Sequence, residues 1–294
     1  MIDMHIHTKY SDGTDTIIEL LKEAEKIGLE YISITDHDNC RAYNELNDLK
    51  IEEYYSGKII QGIELKCLYN DRLVEILGYN YDKEILEAWL NEFYKNRKRK
   101  DTQKKYFDIL YNACLKKGLK MSSKDTIDWN PEYDWASVTV YYDLKKYKEN
   151  KSKVPEDFWS DFTTFTKKYC ADMNGPFYIN KKDDYPTLEE VIKTIKKAGG
   201  VSIFAHVYIY KWADDKEQFI RDLHNNYEID GFECYHSSFT EDEIEYLVDY
   251  CKKNNLLMSG GSDYHGKNKE DISLAIGKGN LKIDKNVVEP WINK

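Results

Sequence analysis

The chain opens on Met1-Ile2-Asp3-Met4-His5-Ile6-His7-Thr8, and no other stretch restricts the fold as strongly. Successive side chains of a β-strand point to opposite faces, so Asp3, His5 and His7 share one face while Ile2, Met4 and Ile6 share the other. The apolar face asks for burial. Burying it leaves two imidazoles and a carboxylate side by side, which is costly unless hydrogen bonds or a metal ion satisfy them. The His-x-His pair alone leaves both readings open.

The segments that follow carry the same event several times. Ser11-Asp12-Gly13-Thr14-Asp15 supplies turn and cap residues, and helical spacing runs from Ile17 to Ile27 before Gly28. The strand Tyr31-Ile32-Ser33-Ile34-Thr35 leads straight into Asp36-His37-Asp38, and a second helix is predicted over much of Cys40 to Tyr55. Lys58–Leu65 and Leu73–Tyr79 flank Tyr69-Asn70-Asp71-Arg72 and read as a hairpin carrying Glu64 and Glu75. Alternation of strand and helix points to a parallel α/β sheet or barrel. After residue 187 the rhythm resumes. Strands over 201–205, 231–235 and 256–259 deliver His206, His236 and then Asp263-Tyr264-His265.

Between these halves, the spacing predicts one long helix from Ile85 to about Leu115, with Arg97-Lys98-Arg99-Lys100 as a solvated face or an anion-attracting edge. From Lys120 to Tyr185 periodicity weakens, aromatic residues accumulate and prolines punctuate the chain. The expected organisation is a barrel from residues 1–119 and 186–294, interrupted by a small, mostly helical subdomain at 120–185. Its rings would pack a small core, lid the site, or stack on bases.

In a parallel barrel the C-terminal strand ends converge on one mouth. That mouth would collect His5, His7, Asp12, His37, Glu64, Glu75, His206, His236, Asp263 and His265, which include six of the seven histidines. Imidazole and carboxylate donors suit Zn²⁺, Mn²⁺ or Fe²⁺, and the lack of cysteine ligands argues against a closed structural zinc site. A catalytic cation takes about three protein ligands and keeps open positions, so a donor set this large implies two to three ions. Clustered ions suit in-line displacement at phosphorus.

The bulk composition agrees with this. Lys plus Arg is 43 against Asp plus Glu at 53, a net charge of −10, which disfavours binding duplex nucleic acid through a broad basic face but not a short substrate held locally by metals. Six scattered cysteines without a Cys-x-x-Cys pair read as reduced thiols. With neither an apolar leader nor a membrane-length apolar run, the expected location is cytoplasmic, with no membrane partner.

His5-Ile6-His7 with Ser11-Asp12-Gly13, Thr35-Asp36-His37-Asp38, Gly62-Ile63-Glu64, Ala205-His206 and Gly261-Ser262-Asp263-Tyr264-His265 together resemble the PHP (polymerase and histidinol phosphatase) superfamily. The insertion resembles the branch of nucleotide phosphatases and 5′→3′ exoribonucleases. The resemblance implies a distorted (β/α)7 barrel and a trinuclear centre that hydrolyses a phosphate ester of a nucleotide or short RNA or DNA end by attack of metal-activated hydroxide at phosphorus. It assigns His5, His7, Glu64 and Asp263 to one ion. Glu64, His206 and Glu75 go to a second, and Asp12, His37 and His265 to a third. Asp36 and Asp38 would orient His37 and the hairpin, and His236 is the candidate to protonate the leaving group, with a hydrogen-bonded structural histidine as the rival reading.

Four positions depart from the family pattern. Glu75 stands where relatives carry histidine, which adds negative charge and favours Mn²⁺ or Fe²⁺. Val207 and Tyr208 follow His206 where relatives have proline and an arginine, and Phe239 replaces a second histidine. Arg97, Arg99, Lys211 or Lys267 would then have to bind the substrate phosphate. A histidinol-phosphate-type phosphatase and a non-catalytic PHP scaffold are the alternatives. Glycoside chemistry from paired carboxylates needs no histidine cluster.

Overall fold

A computed structural model describes residues 1–292, and the chain divides into two compact units. The first comprises Met1–Tyr69, Leu73–Glu92 and Pro186–Lys294; the second comprises Asn70–Arg72 and Phe93–Tyr185.

The first unit is a nearly closed seven-stranded barrel with sheet order β1 to β7. Its strands are β1 (Ile2–Ile6), β2 (Tyr31–Ile34), β3 (Lys58–Tyr69), β4 (Arg72–Tyr79), β5 (Val201–Phe204), β6 (Gly231–His236) and β7 (Leu257–Gly261). β1–β2, β2–β3, β5–β6 and β6–β7 pair in parallel, while β4 runs antiparallel to β5. Asn70 and Asp71 make the β3–β4 turn with left-handed φ of 48° and 60°, the geometry that matches strand twist in a two-residue hairpin. The barrel closes where Asp263 N donates to His5 O at 2.9 Å and His7 N donates to Tyr264 O at 2.8 Å. Closure needs a glycine: a Cβ at Gly261 would lie 2.4 Å from His5 N.

Helices α1 (Ile17–Ile27), α2 (Arg41–Asn47), α3 (Lys83–Tyr94), α7 (Leu188–Lys197), α8 (Lys216–Asn226) and α9 (Glu241–Asn254) contribute to this unit, while α4 (Arg99–Lys116), α5 (Ala136–Lys145) and the single turn α6 (Phe162–Thr164) belong to the second. Capping boxes Thr16/Glu19, Thr187/Glu190 and Thr240/Glu243 start α1, α7 and α9 by satisfying backbone N–H groups that have no partner within the helix. Ile17, Leu20, Leu21 and Ala24 of α1 pack against Ile6, Ile32 and Ile34.

At the strand starts, Ile2, Met4, Ile60, Tyr79 and Ile203 form one cluster with Val288 and Trp291 of the C-terminal tail. Tyr79 Oη donates to Met4 O at 2.8 Å across the barrel, and Trp291 Nε1 donates to Met258 O at 2.8 Å. The tail therefore seals the N-terminal end and leaves the opposite mouth for polar residues.

Two helix expectations need correction. The predicted helix over 85–115 is two helices, α3 and α4, because its apolar stripes serve different cores: Leu86 and Leu90 are buried in α3, whereas Tyr106, Phe107, Leu110 and Cys114 of α4 pack with Val140, Tyr141, Phe158 and Phe165. For the same reason the second unit starts at Phe93, where the sequence reading puts the insertion at 120. The helix predicted over 40–55 is only α2 followed by a 3-10 turn at Ile51–Glu53. In the second unit most rings fill its own core, while Tyr133, Trp135 and Tyr142 stay exposed. No helix among the described residues is long and apolar enough to cross a membrane.

Replacing Trp291 by alanine should cost about 3–5 kcal/mol through lost burial and a residual cavity. Urea unfolding followed by circular dichroism checks this; an unchanged midpoint would mean that the tail does not seal the barrel.

Candidate metal centre

The fold gathers the mouth in the way strand direction requires. His5 lies within β1 and His7 follows it; His37, His206, Asp263 and His265 follow β2, β5 and β7; His236 ends β6. Antiparallel β4 contributes Glu75 from its first half, which lies at the same rim.

Glu64, buried in β3, is the hub. Its Oε2 stands 3.4 Å from His5 Nε2, 3.3 Å from His7 Nε2 and 3.0 Å from His37 Nδ1, and its Oε1 stands 2.9 Å from His206 Nε2. Asp263 Oδ1 is 3.6 Å from His5 Nε2 and 3.4 Å from His7 Nε2. Glu75 Oε2 is 3.5 Å from His206 Nε2, and its Oε1 is 3.9 Å from His37 Nδ1. On the other side, Asp12 lies 3.2 Å from His265 Nε2, 3.5 Å from His37 Nε2 and 3.5 Å from His7 Nδ1.

Three groups of converging donors result: His5, His7 and Glu64; His37, Glu64 and Glu75; and His7, Asp12, His37 and His265. His5 Nε2, His7 Nε2 and His37 Nδ1 are buried and find no hydrogen-bond partner among the described residues, although carboxylate oxygens are close. The distances suit an ion better than direct hydrogen bonds. Donors about 2.1 Å from one cation stand roughly 3.0–3.4 Å from each other in octahedral or tetrahedral coordination. The residues fit divalent ions.

Electrostatics point the same way. Burial alone would raise the Glu64 carboxyl and lower the imidazoles, but each reverses the other. His37 and His5 hold Glu64 well below the usual carboxylate range. Burial opposes protonation of His7, yet Asp263 and Glu64 outweigh it and raise it to about 9. The site thus attracts positive charge strongly.

Other groups fix these candidate ligands in place. Asp36 accepts from Thr8 N at 2.8 Å, Thr8 Oγ1 at 2.6 Å and Ser11 Oγ at 2.5 Å, so it clamps the loop after His7. Asp38 accepts from Lys66 N of β3 at 3.0 Å. Asp3 accepts from Ser262 N and Oγ and from Ala275 N, tying β1 to the Asp263 loop. His206 and Asp263 both have left-handed φ, 28° and 58°, which non-glycine residues hold only where surroundings enforce it. His236 Nδ1 is 2.8 Å from Ser238 Oγ, and its Nε2 is 3.4 Å from Asp263 Oδ2.

Of the basic residues named from sequence, Arg97 donates to Asp183 O, and Arg99 donates to Glu132 O and Tyr133 O, all within the second unit. Lys211 and Lys267 are exposed. Lys269, which sequence reasoning passed over, forms an ion pair with Asp263 Oδ2 at 2.5 Å. Buried Glu233 was also missed. Its signal was present in the sequence: an acid at the centre of the apolar strand Phe232-Glu233-Cys234.

The PHP domain family model matches residues 3–209. A 5′-3′ exoribonuclease of Haemophilus influenzae is 24% identical over 90% of this chain and 89% of its own length. A phosphoribosyl 1,2-cyclic phosphate 1,2-diphosphodiesterase of Eggerthella lenta is 22% identical over 90% and 94%. A 3′,5′-nucleoside bisphosphate phosphatase of Chromobacterium violaceum is 23% identical over 92% and 90%. Among solved structures, a Bifidobacterium adolescentis protein assigned as a metal-dependent phosphoesterase superposes with a TM-score of 0.61 at 24% identity, covering 98% of this chain and 94% of that one, which supports the fold. With the match spanning most of the barrel strands and donors from His5 to His206, the chain belongs to the PHP domain family.

Proposed function

We propose that this protein is a metal-dependent phosphoesterase acting on a nucleotide or the end of a short oligonucleotide. One observation carries the reading: donors from β1, β3 and the loops after β2, β5 and β7 converge at the spacing of a shared coordination sphere around Glu64. The three relatives named above, which cover the chain nearly end to end, support a nucleotide or phosphodiester substrate. Divalent ions held by these residues would supply an activated water for attack at phosphorus and would stabilise charge on the phosphate oxygens.

The chain's own residues take the following roles. His5, His7, Glu64 and Asp263 would hold one ion, of Mn²⁺, Fe²⁺ or Zn²⁺ type. Glu64 with His206 and Glu75 would hold a second, and Asp12, His37 and His265 a third. His236, held by Ser238 within reach of Asp263, protonates the leaving oxygen. Lys269, paired with Asp263 Oδ2, takes the substrate phosphate. The barrel works as the catalytic domain, and the second unit is an insertion beside it in sequence. Six buried thiols without disulfides support a cytoplasmic setting.

The test is hydrolysis of 5′-phosphorylated short RNA, nucleoside 3′,5′-bisphosphates and cyclic phosphodiesters with Mn²⁺ present. Asp263→Ala should lose at least about 100-fold in kcat/KM together with bound metal. Inactivity of the native protein on all three classes, with no difference from Asp263→Ala, would refute the proposal. Lys269→Ala should raise KM more than it lowers kcat.

Metal uptake should also depend on pH. With His7 raised to about 9, its imidazole is protonated at neutral pH in the metal-free protein, and an entering ion must displace that proton. Apparent affinity should therefore rise from pH 6 to pH 9 and fall on acidification. Calorimetry at pH 7.5 in buffers of different ionisation enthalpy should show proton release; enthalpies independent of buffer would contradict it.

A further inference from the structure

We infer that Glu233, in the middle of β6, is a positioning residue that selects the tautomer of His5 and sets the backbone of His206, so that both present Nε2 to the metals. The inference rests on the reading of these two histidines as ligands. Glu233 is fully buried. Its two oxygens serve two different chain segments: Oε1 lies 2.8 Å from His5 Nδ1, and Oε2 accepts from His206 N at 2.8 Å. β6 carries a register irregularity between Glu233 and Tyr235, the kind of local distortion that re-aims a strand side chain.

At His5, a carboxylate can only accept, so Nδ1 must carry a proton, and in the neutral ring that a metal requires the lone pair is then on Nε2. That Nε2 is the nitrogen facing Glu64 and Asp263 without a hydrogen bond among the described residues. At His206 the backbone is held at φ 28°, unfavourable for a residue with a Cβ. The N–H bond to Glu233 anchors this conformation, which aims His206 Nε2 at Glu64 and Glu75. One buried side chain thereby ties ligands from the opening strand and the loop after β5 into a single arrangement, as partners of metal-bound histidines do elsewhere.

Glu233→Gln separates this role from simple packing. The His206 N–H requires the amide oxygen, so the amide NH₂ must face His5 Nδ1. His5 can then pair only by accepting at Nδ1, which places its proton on Nε2, the nitrogen meant for the metal.

The experiment compares wild type and Glu233→Gln for Mn²⁺ and Zn²⁺ affinity by chelator competition, for thermal unfolding of the metal-free proteins, and for His5 tautomer by ¹⁵N-edited NMR. Expected are a loss of roughly 10–100-fold in affinity, a metal-free unfolding temperature close to wild type, and a proton moved from Nδ1 to Nε2. Equal affinities, or a loss accompanied by a matching collapse of metal-free stability, would overturn the inference while leaving the phosphoesterase proposal standing. If the variant does not fold, the Zn²⁺-loaded wild-type protein decides: a slowly exchanging His5 Nδ1–H supports the role, and an unprotonated Nδ1 ends it. A wild-type protein that binds no metal refutes both readings.

Discussion

Everything at the mouth of this barrel depends on one buried carboxylate facing several imidazoles. Glu64 places its two oxygens within 2.9–3.4 Å of nitrogens from four histidines, and three of those nitrogens find no hydrogen bond among the described residues. Polar groups brought into a protein interior need partners. Here the partners point at shared positions rather than at one another. The chain keeps a set of donors that mutual hydrogen bonding does not satisfy, and divalent ions are the species that suit it.

Holding such a set together requires stiffness elsewhere. The apolar layer at the strand starts, sealed by Trp291 and crossed by Tyr79, gives the strands a fixed end from which their opposite ends project. Gly261 lets β7 approach β1 closely enough for the Asp263 loop to bond His5 and His7 through the backbone. Asp3 and Glu233 on the strands and Asp36 beyond β2 are buried acids whose hydrogen bonds fix donor-bearing loops.

Residues separated by more than 200 positions meet in this arrangement, as His5 and Glu233 do. The left-handed backbone at His206 and Asp263 is part of the same constraint, since strained residues persist where neighbours over-determine them. Glu75 adds a carboxylate to the rim, its Oε2 3.5 Å from His206 Nε2. Lys269 stands against this donor cluster through its ion pair with Asp263.

The local sequence by itself determined a great deal. Strand alternation put Asp3, His5 and His7 on one face, and recurrent strand–helix spacing marked the barrel and the order in which its ends deliver donors. Those signals are local and survive without tertiary contacts, because side-chain direction in a strand has period two and capping residues act within one turn. Tertiary structure decided what spacing could not carry. The break between α3 and α4 arises because the two halves of one apparent helix feed separate cores. Asp36 clamps Thr8 and Ser11, and Glu233 touches two remote segments, His5 and His206. Such pairings depend on closure of the sheet between β7 and β1, and closure is a property of the whole barrel that no window of sequence contains.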